Sequence, residues 1–265
     1  MKYMACCMTV RNCAPHLPEL FKNINRLRTL FKDFVLIVAY DNCTDNSESL
    51  LQNYQTLSSF PVHLLKLHNP SPLRTVRIAH ARNACLEKLE TLDTDVHFMI
   101  DADDVNVDPW NMDLLRHYIG RKDWDALTFN RRDYYDIWAL MYPPFQHHCL
   151  GFYEHSQTVV QHMKQHIVSK LNHCKEWVPC QSAFNGFAIY KSKVVRGIRY
   201  DGEYKNLRKW IPNAARQSTL DALSSLRLKL RVDDAHPESC EHLYYHLSAK
   251  QKHARIYISK YYLTV

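Results

Sequence analysis

Asp101, Asp103 and Asp104 crowd into four residues directly after the apolar run "HFMI". With a reference pKa of about 3.9, such carboxyl groups are ionised at neutral pH, and they repel one another unless a cation is supplied. Hard oxygen donors suit Mg²⁺ or Mn²⁺, and an ion bound there can grip a diphosphate. A D-x-D pattern is short, and the same acids can serve as loop and cap residues, so the surrounding residues decide how it is read. Asp41 ends a second apolar run, "FVLIVAY", where a carboxylate can accept from a base N–H or a ribose hydroxyl. Arg74, Arg77 and Arg82 fall in one segment, and arginine suits bidentate phosphate contact or the orientation of an aspartate. Taken singly each is a turn residue or part of a solvated helix face; together they describe a site for a nucleoside diphosphate and its metal.

These groups are far apart in sequence, so a scaffold must converge them. "YMACCMTV", "FVLIVAY" and "VHFMI" read as buried strands, the second continuous and β-branched as in a sheet covered on both faces. Between them, residues 17 to 31 place Leu17, Leu20, Phe21, Ile24, Leu27 and Phe31 at helical spacing. "DNSESLL" opens a helix with Asp45 as cap and Glu48 three residues on, and Thr75 to Leu92 reads as another. A further helix follows in "DPWNMDLLRHYIG", with Asp108 as cap, Pro109 in the first turn and Gly120 as stop. This β-α-β-α order predicts an α/β fold with a mostly parallel central sheet flanked by helices. Ligands of such sheets bind outside the carboxyl ends of the strands, which would bring Asn12, Asp41 and Asp101 to Asp104 to one crevice. No G-x-G-x-x-G or G-K-[ST] loop is present, which removes the main support for dinucleotide and P-loop readings.

The later sequence is less regular. "WDALTFN" and "SAFNGFAIY" read as strands, the second with a close-approach glycine at Gly186, and Ser156 to Leu171 reads as a helix. The tail "CEHLYYHLSAKQKHARIYISKYYL" is expected to hold two short strands around a helical turn or loop. Tyr134, Tyr135, Trp138, Tyr142, Phe145, Phe152 and Tyr153 crowd one segment and could supply faces for sugar rings, although such residues are more often core. No linker-like stretch divides the chain, so one domain is expected over residues 1–265, its halves (1–120 and 121–265) sharing one core. No apolar stretch reaches the length of a membrane span. The first residues do not read as a signal peptide, and nine cysteines without a C-x-x-C pair fit reduced thiols, so a cytoplasmic setting is expected. A net charge of +7 suits an anionic partner; its basic residues are dispersed, which argues against nucleic acid.

"MTVRN", "VAYDNCTDNS", "RIAHARN" and "MIDADDVN", in this order, resemble the signature of GT-A fold glycosyltransferases. "DALTFNRRDYYDIWAL", "SAFNGFAIYKS" and "CEHLYYHL" are similar to a group of small glycosyltransferases encoded by large DNA viruses of algae and amoebae, and more distantly to fungal capsule-type mannosyltransferases. The resemblance implies a GT-A, Rossmann-like fold and a host-cytoplasm setting if the source is viral. It implies that Val10, Arg11 and Asp41 border the nucleoside, with Arg82 beside the metal; Asn12, in the same crevice by the strand-end rule, joins the nucleotide-sugar contacts. Asp101, Ala102 and Asp103 would meet the diphosphate, assisted by Arg74 and Arg77. Asp101, Asp103 and a late histidine, His242, would hold Mn²⁺ or Mg²⁺, and an imidazole among the ligands favours Mn²⁺. Tyr40 stands where many relatives carry a second acid, which leaves Asp41 alone in the base-binding role.

The expected activity is metal-dependent transfer of a sugar, hexosyl or pentosyl, from a UDP- or GDP-linked donor to a glycan or glycoprotein. Asp136, Trp138, Asn185 and Gly186 are expected to face the sugar or acceptor, and Glu241, Asp201 and Glu203 are the candidate catalytic bases should the reaction invert. Two rival readings are a nucleotidyltransferase, which would release pyrophosphate, and a non-enzymatic zinc or nucleic-acid binding protein. The first lacks a glycine-rich, lysine-bearing loop, and the histidine and cysteine spacings match no familiar zinc module.

Overall fold

Along the early strands, successive side chains enter two separate apolar clusters, as period-two geometry requires of a sheet buried on both sides. A computed structural model describes residues 3–147, 156–227 and 235–265; Cys149, Phe152 and Tyr153 lie outside the described residues. The strands are β1 (Tyr3–Val10), β2 (Phe34–Asp41), β3 (Val62–Leu67), β4 (Thr94–Asp101), β5 (Ala126–Asn130), β6 (Trp177–Pro179), β7 (Phe187–Lys191) and β8 (Ile256–Tyr262). They form one sheet in the order β3-β2-β1-β4-β7-β5-β8-β6. β1 to β4 run parallel, β7 is antiparallel to β4 and β5, β8 is parallel to β5, and β6 is antiparallel to β8.

The helices are α1 (Leu17–Arg28), α2 (Ser47–Leu57), α3 (Arg74–Glu90), α4 (Met112–Ile119), α5 (Ser156–His173), α6 (Ser192–Val195), α7 (Tyr204–Leu207), α8 (Asn213–Ser224) and α9 (Glu241–Gln251). Met4, Cys6 and Met8 of β1 pack with Leu20, Ile24 and Leu27 of α1 and Leu115 of α4. Ala5 and Cys7, between them, belong to the opposite cluster with Cys85 and Leu89 of α3, Met163 and Ile167 of α5, and Leu243 of α9. Among the described residues all cysteines are free, and no helix is long and apolar enough to cross a membrane.

The expected strands of the first half and its helices are present, as is the "close approach" at Gly186. A Cβ there would lie 2.7 Å from Val105 Cγ2 and 3.0 Å from the Tyr135 hydroxyl, and its φ is +82°. Three local expectations are corrected. "CEHLYYHL" forms α9 rather than a strand, because Leu243, Tyr245, Leu247 and Ala249 are buried with polar Glu241, His242 and His246 also turned inward, an all-round burial that amphipathic periodicity does not reveal. Asn111, not Asp108, caps α4, accepting from Leu114 N–H at 3.0 Å. Glu48 does not close a capping box; it accepts from Lys66 Nζ at 2.8 Å and from the Tyr40 hydroxyl at 3.1 Å. Tyr40, in the position of the missing acid, is therefore spent on α2.

Candidate active site

Parallel pairing brings three strand ends level: Thr9 pairs with Asp101 and Val10 with Tyr40. Beyond them the chain must turn away from the sheet, and it does so at two asparagines with positive φ, Asn12 (+55°) and Asn42 (+45°), a conformation that asparagine tolerates better than most residues. Asn12 Oδ1 accepts from Thr44 N–H at 2.7 Å, Ser47 Oγ from Cys13 N–H at 2.8 Å and Asp45 Oδ2 from Ala14 N–H at 3.0 Å. These bonds stitch the loops after β1 and β2 into one rim. A cleft of about 580 Å³ opens there.

Val10, Arg11, Asn12, Asp41, Arg74, Arg77, Arg82, Asp101, Ala102, Asp103, Asp136, Trp138, Glu241 and His242 all line this cleft. Asn185 and Gly186 do not. They stand behind its wall, where Asn185 Nδ2 donates to Phe129 O at 3.0 Å and the Gly186 carbonyl accepts from Asp101 N–H at 3.0 Å. Asp201 and Glu203 are also outside it. Asp201 accepts from Glu203 N–H and from Asn206 Nδ2, each at 2.8 Å, and Glu203 pairs with Lys205, so both organise the entry to α7.

The paired aspartates are not equivalent. Asp101 Oδ1 accepts from Arg82 Nη2 at 2.8 Å and Oδ2 from the Tyr135 hydroxyl at 3.2 Å. Arg82 also donates through Nε to Glu241 Oε1 at 2.9 Å, and its guanidinium lies 4.7 Å from the Phe184 ring centroid. Burial opposes the Arg82 charge, yet Asp101 and Glu241 outweigh it and hold the guanidinium ionised. Asp103, by contrast, has a buried Oδ1 with no hydrogen-bond partner. Burial, then the charges of Asp101 and Asp104, push its carboxyl up to about 6. A cation beside this carboxylate would relieve that cost.

The loop carrying these acids is pinned from outside the cleft. Asn106 Nδ2 donates to the carbonyls of Asp101 and Gly186, both at 2.8 Å, and Asn23 Nδ2 donates to the carbonyls of Asn106 and Asp108. Arg131 donates to Asn106 Oδ1 and to Asn185 O, both at 2.9 Å. Sequence reasoning missed Arg131, although it directly follows β5 and so obeys the same strand-end rule that singled out Asp41. Asn106 and Tyr135 carried no such signal.

Elsewhere, Asp41 Oδ2 is buried and unpartnered, while Oδ1 accepts weakly from Asn69 N–H at 3.4 Å. His242 is 1% exposed, stacks on Phe184 at 3.7 Å, and has no hydrogen-bond partner at either ring nitrogen. Burial, reinforced by the Arg82 charge, holds it neutral, the form that ligates a metal. Asp101, Asp103 and His242 are not gathered as a ligand set: among the described residues, no three His, Cys, Asp or Glu side chains are grouped to hold an ion. Asp101 is instead consumed by Arg82 and Tyr135. The open Asp103 oxygen nevertheless fits a divalent cation whose remaining ligands come from a bound diphosphate and water.

No protein-family model matches the chain, and no curated protein matches it in sequence. Solved structures do. S. aureus TarS (residues 1–349) in complex with UDP is 12% identical, with a TM-score of 0.51, covering 100% of this chain and 61% of that one. The same fragment in complex with UDP-GlcNAc is 12% identical, with a TM-score of 0.50 over 97% of this chain and 56% of that one. The fold is GT-A. A mannosyltransferase from Pyrobaculum calidifontis in complex with GDP-Man and Mn²⁺ is 13% identical, with a TM-score of 0.48 over 93% of this chain and 68% of that one. This GT-A chain thus spans about 61% of the TarS fragment it matches.

Proposed function

We propose that the protein is a glycosyltransferase that moves a sugar from a UDP- or GDP-linked donor to a glycan or glycoprotein acceptor, with Mn²⁺ or Mg²⁺ bound at Asp103. The observation that carries this reading is the buried, unpartnered Oδ1 of Asp103 in a cleft that arginines also line. Support for the donor class comes from the GT-A fold and from TarS, crystallised with UDP and with UDP-GlcNAc.

In this reading the free Asp41 Oδ2 accepts from the base or the ribose, and the exposed Arg11 and Arg74 approach the diphosphate from the rim. Arg77 is braced by a 2.6 Å bond from Nη1 to Ser71 O and turns its remaining N–H groups to the same phosphates. Arg82 acts indirectly, holding Asp101 in place through their 2.8 Å ion pair. The ion, when bound, supplies charge stabilisation to the departing diphosphate. His242, held neutral, and His16 also border the cleft. Trp138 furnishes an apolar face for a sugar ring on the acceptor side.

The test is to incubate the protein with UDP- and GDP-sugars, with and without Mn²⁺, and to measure donor binding and nucleotide release. Metal-dependent binding with release of a nucleoside diphosphate is expected. Release of pyrophosphate instead would point to nucleotidyl transfer, and a folded protein that binds no donor would overturn the reading.

A further inference from the structure

Resting on that reading, we infer that Asp136 is the catalytic base: it takes the proton of the acceptor hydroxyl, and the reaction inverts the anomeric carbon. As the acceptor oxygen bonds to that carbon, its proton passes to an Asp136 oxygen, and the bond to the diphosphate oxygen breaks with its electron pair leaving on the nucleoside diphosphate.

Two carboxylates on the acceptor-side wall compete for this role. Glu241 is locked: its Oε1 is the acceptor for Arg82 Nε at 2.9 Å in a pair that is 3% and 5% exposed. Protonating it would dismantle a buried ion pair and leave Arg82 half compensated, which is costly in a dry site. Asp136 has no such partner. Among the described residues no cationic side chain bonds to it; Oδ1 accepts from Ala139 N–H at 3.2 Å and Oδ2 from Asn185 N–H at 3.3 Å, so each oxygen keeps a lone pair.

Its orientation is set from both sides. Asn185 Oδ1 accepts from Asp136 N–H at 3.3 Å, reciprocating the bond above, and Asn185 holds the positive φ of +55° that aims its N–H at the carboxylate. Asp136 lines the same cleft as Trp138, Glu241, Asp103 and the arginines. The ionisable groups around it are Asp101 of β4, Glu241 and Cys240 at the start of α9, and Tyr134 and Tyr135 on its own segment. Burial, then the charges of Asp101 and Glu241, raise its carboxyl to about 7, which matches a base working near neutrality.

Water can serve as the acceptor probe. UDP- and GDP-sugars are incubated with Mn²⁺, and nucleoside diphosphate release is followed from pH 5 to 9 with NMR of the sugar released before it mutarotates. The wild type should yield the inverted anomer, with kcat falling below about pH 7. Asp136→Asn should lower kcat by about 100-fold or more, abolish that acidic limb, and leave the donor Kd within about threefold by calorimetry. Asn185→Gly keeps the carboxylate and suits the positive φ, so a loss of under about tenfold with the limb intact is expected. Retention of configuration, near-wild-type turnover by Asp136→Asn, or a parallel loss of donor binding in that variant would each overturn the inference. Wild-type protein that binds no donor would overturn the glycosyltransferase reading, and this inference with it.

Discussion

The two walls of the cleft handle buried charge in opposite ways. On the strand-end wall, polar atoms are left open: Asp41 Oδ2 and Asp103 Oδ1 are buried without partners. On the wall built from residues 135–138, 184 and 240–242, the carboxylates are bonded, while both ring nitrogens of His242 stay unpartnered. Arg82 bridges Asp101 and Glu241, and Asp136 and Asn185 bond each other reciprocally. Behind this wall, His246 is held between Ser182 Oγ at 2.8 Å and the Tyr190 hydroxyl at 2.9 Å. A buried polar atom left unsatisfied costs stability, so open carboxylate oxygens that line the cleft are where a ligand can complete the site. The difference predicts that removing a bonded ion-pair partner such as Arg82 reduces stability, whereas removing an open cleft atom such as Asp103 Oδ1 reduces binding.

The largest effect is expected from Arg82→Met. It strands buried Glu241 and partly exposed Asp101, and breaking a buried pair typically costs about 3–5 kcal/mol. Urea unfolding should register that loss; a midpoint within error of wild type would erase the distinction between the walls. Gly202→Ala tests the scaffold by sterics alone, since a Cβ there would sit 2.3 Å from the Thr75 backbone carbon and 2.5 Å from its oxygen. Overpacking of this kind costs about 1–3 kcal/mol, read in the same urea titration.

Asp103→Asn addresses the open wall. Metal-dependent donor affinity should fall about 100-fold, equivalent to about 2.7 kcal/mol, while thermal stability without metal is unchanged or improved. The sign follows from the raised carboxyl. Asp103 binds its proton more tightly folded than unfolded, so its contribution is most favourable below about pH 4 and is lost as pH rises through about 6. Metal-free wild type should therefore lose stability across that window, and Asp103→Asn should flatten this part of the curve. The smallest effect belongs to neither wall: Lys22 and Glu19, paired at 2.6 Å but 68% and 52% exposed, should give under about 0.5 kcal/mol for Lys22→Ala.

Much of the open wall was legible before any tertiary structure. Asp41 and Asp101 each end an apolar run, and a parallel sheet must deliver both to the same edge. The closed wall was not legible in the same way. α9 was read as a strand because its burial is nearly uniform, and its polar residues are satisfied by partners far away in sequence: Glu241 by Arg82, His246 by Ser182 and Tyr190. Asp201 and Glu203 looked like free acids because their short-range hydrogen bonds to Asn206 and Lys205 depend on a turn that residue types alone do not specify.

By itself, the sequence determined which strands end in carboxylates, the alternation that buries both faces of the sheet, and the helices that make it α/β. These follow from local periodicity. Only the tertiary structure decided which acid was open and which was spent. Asp101 and Asp103 are two residues apart and chemically identical, yet Arg82 and Tyr135 reach only the first, because what neutralises a buried charge is set by what the fold packs against it.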